Sequence, residues 1–106
     1  MMSLDDGIHA LCGRGVSLCA KSTHQLVIRI KRGSLTPEEV QPIKHNKALV
    51  LLLLPIGVEV TARDFQNILE CYREREAMLI NGGMDAGQAG LKAIADAHTF
   101  LRSLLF

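Results

Sequence analysis

Four residues near the start of the chain carry the side chains of a metal site: His9, Cys12, Cys19 and His24, all within sixteen residues. Thiolate and imidazole together suit zinc. The spacing, H-x2-C-x6-C-x4-H, lacks the tight C-x2–4-C knuckle of structural zinc sites. Cysteine is also among the most often buried residues without any ligand role. No metal is assigned on this pattern.

A second cluster is rich in glycine. Gly82, Gly83, Gly87 and Gly90 surround the expected start of a helix, where free amides and the dipole favour an anion. No Lys-Ser or Lys-Thr follows and no strand precedes, so neither a P-loop nor a dinucleotide fingerprint is present. A turn at Gly82-Gly83, with close helix packing through Ala86, Ala89 and Gly90, accounts for the same residues.

Nucleophilic chemistry would fall to Cys71. A depressed thiol pKa needs positive surroundings, and Glu70 and Arg73 supply a mixed one. Glu70, Glu74 and Glu76 lie in the run Glu-Cys-Tyr-Arg-Glu-Arg-Glu, which reads as an ion-paired helix surface rather than an acid–base pair. His98 falls in the core-facing row of the last helix and reads as a satisfied core or interface histidine. The expectation is a protein that is not an enzyme, with no catalytic residue, cofactor or metal.

The elements that would position these residues read as helices. Ser3-Leu4-Asp5-Asp6 resembles a capping box with Asp in place of Glu, and Gly13-Arg14-Gly15 would interrupt the helix it opens. Ser17 to Arg32 carries two signals. Leu26, Ile28 and Ile30 alternate as in a strand, whereas Lys31-Arg32-Gly33 has the cations and glycine of a helix C-terminus. A strand needs a mate, and only Val58-Glu59-Val60 offers one, so helix is the reading chosen. Thr36-Pro37-Glu38-Glu39 is a capping box with proline at the first helical position. Pro42 then either separates a turn over residues 36–41 from a helix over 42–54 or kinks one helix. Thr61 opens a helix with Phe65, Ile68, Leu69, Tyr72 and Leu79 on one face, and Asn81-Gly82-Gly83 stops it. Asp85 opens the last, with Leu91, Ile94, His98, Leu101 and Leu105 in one row and Ala93, Ala97, Phe100 and Leu104 in a second. The fold class expected is all-α: a small helical bundle over residues 1–106, with an N-terminal helical arm (1–33), a helical core (36–106) and a C-terminal antiparallel helix hairpin.

Composition fits one small domain. The chain has 106 residues, 48% apolar and 22% charged, an ordinary globular balance. Three cysteines without a C-x-x-C make a disulfide framework unexpected and fit a reducing compartment. Asp5 and Asp6 stand where a secretory leader would carry Lys or Arg. The uncharged window from Ala48 to Val58 covers eleven residues, against roughly twenty for a membrane span. The location expected is cytoplasmic, without a membrane.

The net charge of +1 hides an uneven distribution. Residues 14–47 hold seven Lys/Arg against two Glu, and residues 48–106 hold five against seven acids. A basic front half can meet an acidic partner or nucleic acid. Between Arg14 and Lys47 there is no Phe, Tyr or Trp to stack on bases, and Lys92 and Arg102 are the only cations of the last helix. These features argue against a nucleic-acid binder, which stands as the alternative reading through segment 14–47.

The stretch ALVLLLL before Pro55 puts apolar side chains all around a helix. Flanking helices in a short chain cover only some of its sides, and an apolar patch left over marks an interaction surface. Leu51, Leu52, Phe65, Leu101, Leu104, Leu105 and Phe106 are the expected contact residues, for a partner protein or a homodimer. The N-terminal segment, the ALVLLLLP helix and the hairpin from Thr61 to Phe106 resemble small, mostly helical bacterial antiactivators of quorum-sensing transcription factors. That resemblance implies a cytoplasmic dimer that masks the dimerisation surface of a LuxR-type regulator. Secretion chaperones and phage regulators fit the same description.

Overall fold

A computed structural model describes residues 3–105, the side chains of 104 and 105 excepted. The chain order is α1 (Leu4–Leu11), a 3-10 turn (Cys12–Arg14), β1 (Val16–Ala20), β2 (Leu26–Ile30), α2 (Pro37–His45), α3 (Lys47–Leu53), β3 (Glu59–Thr61), α4 (Ala62–Asn81) and α5 (Ala86–Leu105). The all-α expectation is therefore wrong. Five α-helices share the fold with a three-stranded antiparallel sheet of order β2-β1-β3.

The correction falls on residues 17–32. They form a hairpin, with Val16 opposite Ile30 and Ala20 opposite Leu26. From residue 3 to 33 the chain is thus α1, the 3-10 turn and this hairpin, not a helical arm. The alternation of Leu26, Ile28 and Ile30 was the true signal, and their mate is β1. Val58-Glu59-Val60, named as the one available mate, does overlap strand β3, but Val60 pairs with Leu18 of β1. The Lys31-Arg32-Gly33 sequence ends a strand: Gly33 has φ +79, a left-handed turn conformation that glycine takes at no steric cost.

Side-chain oxygens start four of the helices, α5 through Asp85, which accepts from the amide of Gly87. Ser3 accepts from the amide of Asp6, and Thr61 accepts from that of Asp64. Thr36 and Glu39 form a reciprocal capping box on α2, satisfying amides that the first turn leaves without partners. Pro42 stays inside α2, and the break comes four residues later at Asn46, whose side-chain amide donates to the Pro42 carbonyl at 2.8 Å. Pro42 is buried against α1, where Gly7 makes the close approach possible. A Cβ on Gly7 would lie 2.7 Å from the Cβ of Pro42.

The core sits between α4 and the sheet, with α1, α2 and α3 closing its margins. Leu4, Ile8 and Leu11 of α1 recur at helical spacing and are buried with Val16, Leu18 and Ala20 of β1, Ile43, Val60, Phe65, Ile68 and Leu69. α4 also packs along α5. Of the two expected rows, Ala93 and Ala97 of the second and Leu101 of the first face inward with Ala89, while Leu91 is 72% exposed. Small side chains bring the two helix backbones together, and Arg75 donates to Asp96 at 2.7 Å across the seam. Among the described residues no helix is long and apolar enough to cross a membrane.

Candidate functional site

The seven residues of α3 place three kinds of surface on two helical turns. Val50 and Leu53 are fully buried, Leu49 and Leu51 are half-buried, and Leu52 is 55% exposed. Leu54 then turns to extended backbone and points into the core. Pro55 cannot continue the helix. Ile56 follows with 58% of its surface exposed. It is held there because Gly57 donates to the Ala20 carbonyl at 2.8 Å and Ile56 bridges Ala20 in parallel fashion.

α5 closes the other wall. The Nε2–H of His98 donates to the carbonyl of Leu52 at 2.6 Å. That carbonyl belongs to the last turn of α3, where no intrahelical amide is available. His98 thus ties α5 to α3. Thr23, from the turn between β1 and β2, completes the rim.

The result is an apolar groove of about 520 Å³, lined by Ala48, Leu51, Leu52, Leu54, Pro55 and Ile56 with Thr23 and His98. No Asp, Glu, Lys or Arg lines it. Such a surface can bury an apolar side chain or helix face and offers two polar groups at its margin.

Of the expected contact residues, Leu51 and Leu52 line this groove. Phe65 and Leu101 do not form a contact surface: they are 0% and 2% exposed. Phe65 points from the first turn of α4 into the core, and Leu101 continues the alanine row of α5. Leu104 and Leu105, as side chains, and Phe106 lie outside the described residues. Thr23, Pro55 and Ile56 were missed by sequence reasoning, which read His98 as a core or interface histidine without placing it beside α3. Ile56 had a legible signal, an isoleucine between proline and glycine, which no helix or strand can bury.

The other candidates separate. His9 accepts at Nδ1 from the side-chain amide of Gln66 at 2.9 Å, and Cys12 lies 3.1 Å from the Gln66 carbonyl oxygen. Cys19 is buried in β1 and His24 lies exposed in the hairpin turn. Among the described residues no group of three or more His, Cys, Asp or Glu could hold a metal ion. Burial pushes the Cys12 thiol up, against the pull of Arg63, the opposite of what a nucleophile needs. Cys12 opens onto a second cavity, of about 500 Å³, beside Ser17, Lys31, Glu59 and Arg63. Ser17 donates to Glu59 at 2.6 Å, so one acid and its hydrogen bond already occupy that polar wall.

In the glycine cluster, Gly82 caps α4, and Asp85 accepts from the amide of Gly87 at 3.1 Å. Gly90 faces Tyr72 and Glu76 across the seam. There Tyr72 donates to Glu76 at 2.6 Å, and burial together with that bond pushes the phenol up to about 12.

Fold and groove together define a class: a small domain of mixed helix and antiparallel sheet, with a hairpin-based sheet on one side and a two-helix seam on the other. Comparison with protein-family models, curated proteins and solved structures finds no match for this chain.

Proposed function

We propose that this chain is a non-enzymatic, cytoplasmic regulator that sequesters another protein, seating an apolar helix face of that partner in the groove between α3 and α5. The observation that carries the reading is the pairing of Leu52 and Ile56. Both are large, both are more than half exposed, and both line one uncharged groove. Exposed apolar side chains gathered in a groove are the usual seat of an amphipathic helix. Three free cysteines accord with a reducing compartment. A homodimer is part of the proposal, with Met78, Ile80 and Leu91, all exposed near the turn between α4 and α5, as its contact.

Antiactivation of a quorum-sensing transcription factor is the narrower form of this reading. Sequestration is the level at which the groove supports it.

The test is capture from the source lysate at physiological salt, with wild type beside Leu52→Asp/Ile56→Asp. The expected result is one protein at constant ratio that disappears with the double variant while circular dichroism is unchanged. An unchanged captured set, or nothing beyond background, overturns the reading. Nucleic-acid binding through residues 14–47 is the second reading, favoured by the gathering of Arg14, Lys31 and Arg32 around Gly13 and Gly15. It requires a 260 nm signal that nuclease removes and that falls steeply with salt.

A further inference from the structure

β2 is joined to the rest of the protein along one side. In the order β2-β1-β3, its other side has no strand among the described residues. Which backbone groups face that side follows from the phase of the ladder. Lys21 donates to the Gln25 carbonyl at 2.9 Å, and Lys31 to the Gly15 carbonyl at 3.3 Å. Hydrogen-bonded and non-hydrogen-bonded pairs alternate in an antiparallel ladder. With Ser17 opposite Arg29 and Cys19 opposite Val27, Arg29 and Val27 turn their amides and carbonyls toward β1. Leu26, Ile28 and Ile30 turn theirs outward. The far flank of β1 agrees, because the carbonyl of Ala20 accepts from Gly57 on the β3 side. Among the described residues, no backbone hydrogen bond outside the ladder uses the outward groups of Leu26, Ile28 or Ile30.

The side chains give this edge two faces. Leu26, Ile28 and Ile30 lie on the core face of the sheet, only half-buried, and form an apolar strip that runs up to the edge. Arg29 and Lys31 lie on the opposite face, with Lys21 and Arg32 beside the strand. No Asp or Glu occurs between Asp6 and Glu38, and none of the four cations has an ion pair among the described residues.

We infer that the outer edge of β2 binds an extended acidic segment of another protein by strand addition. The added strand hydrogen-bonds to Leu26, Ile28 and Ile30, extends their apolar strip with every second side chain, and sets its carboxylates against Arg29 and Lys31. Charge decides the occupant. A second copy paired through β2 brings two uncompensated sets of the same four cations together. A nucleic acid answers the charge but makes no use of the row of amides or the apolar strip. None of Leu26, Ile28 and Ile30 lines the groove between α3 and α5, so this inference does not rest on the function proposed there.

The probe is a short fluorescein-labelled peptide of alternating Glu and Val, with a Lys-Val peptide as control. Anisotropy is expected to show binding of the Glu peptide only, weakened about tenfold or more by Arg29→Glu/Lys31→Glu. Ile28→Pro removes an outward amide while leaving the bonds to β1, and is expected to weaken it as well. Amide exchange by NMR separates this mode from plain charge attraction. In the free protein Val27 and Arg29 exchange slowly and Ile28 and Ile30 fast; with peptide bound, Ile28 and Ile30 become slow. Absence of binding, or binding that leaves Ile28 and Ile30 fast, overturns the inference. So does full displacement by an oligonucleotide of matched charge, and so does a dimer by light scattering whose Ile28 and Ile30 are already slow without peptide.

Discussion

β1 and β2 are two arms of one hairpin, equal in length and both aliphatic, yet they meet different surroundings. Val16, Leu18 and Ala20 of β1 are fully covered, and even Cys19 on the other face is buried. Their partners Ile30, Ile28 and Leu26 in β2 are half-covered. β1 has a strand on each side and α4 across its face; β2 has β1 alone. Burial here is set by rank in the sheet rather than by the hydrophobicity of the strand. The middle strand anchors the fold, and the edge strand holds apolar surface and backbone polarity that the fold itself does not use.

Truncation at matched positions tests that contrast most strongly. Leu18→Ala should cost about 3 kcal/mol in urea unfolding, since a closed cavity remains. Ile28→Ala, directly opposite, should cost about 1 kcal/mol, because water and neighbours refill a half-open site. Equal costs would mean that β2 is covered after all. The anchored half can be probed again at the contact of α1 with α2. Gly7→Ala should cost about 2 kcal/mol by forcing Pro42 outward, whereas Gly13→Ala, with nothing within 4 Å of its new Cβ, should stay within about 0.5 kcal/mol. Thr36→Ala should cost about 1 kcal/mol through loss of the α2 cap.

A separate effect is one of pH, and it lies away from the sheet. Tyr72 releases its proton near pH 10.0 when unfolded and at about 12 when folded. Above pH 10 the unfolded state binds fewer protons, so stability present below that pH declines as pH rises toward 12. Tyrosinate absorbance of the native protein, followed beside urea midpoints, checks the sign. Tyr72→Phe should flatten the decline.

Much of the helical half was legible. Thr61 and Asn81-Gly82-Gly83 mark the two ends of α4, and the Thr36 box marks the start of α2, because caps are local chemistry. The hairpin was hidden for a physical reason. Its turn has no Asn-Gly or Asp-Gly; instead Ser22 accepts from the amides of His24 and Gln25, a bond that composition does not advertise. β1 concealed its own alternation, since a strand buried on both faces can put Cys19 where a polar residue is expected. In α5, periodicity found the helix and both of its apolar rows, but not which of them lies innermost. The choice between leucines and alanines depended on how near α4 comes, a distance that no single helix carries. In the groove, Leu51 and Leu52 could be read from the apolar run, whereas Thr23 and His98 arrive from elements far away in sequence.

The alanine row of α5 has a consequence for how this sequence can change over time. Ala89, Ala93 and Ala97 sit against α4 with no surface exposed, and glycine is the only smaller residue. Drift at these sites therefore runs in two directions, both unfavourable: to glycine, which lowers helix propensity by about 1 kcal/mol, or to anything larger, which must prise two helices of twenty residues apart. A lone enlargement cannot be absorbed where it occurs. Variation along this seam should come as paired replacements, a gain in volume on one helix matched by a loss on the other, so that relatives of this chain would keep the spacing while exchanging which helix supplies the bulk.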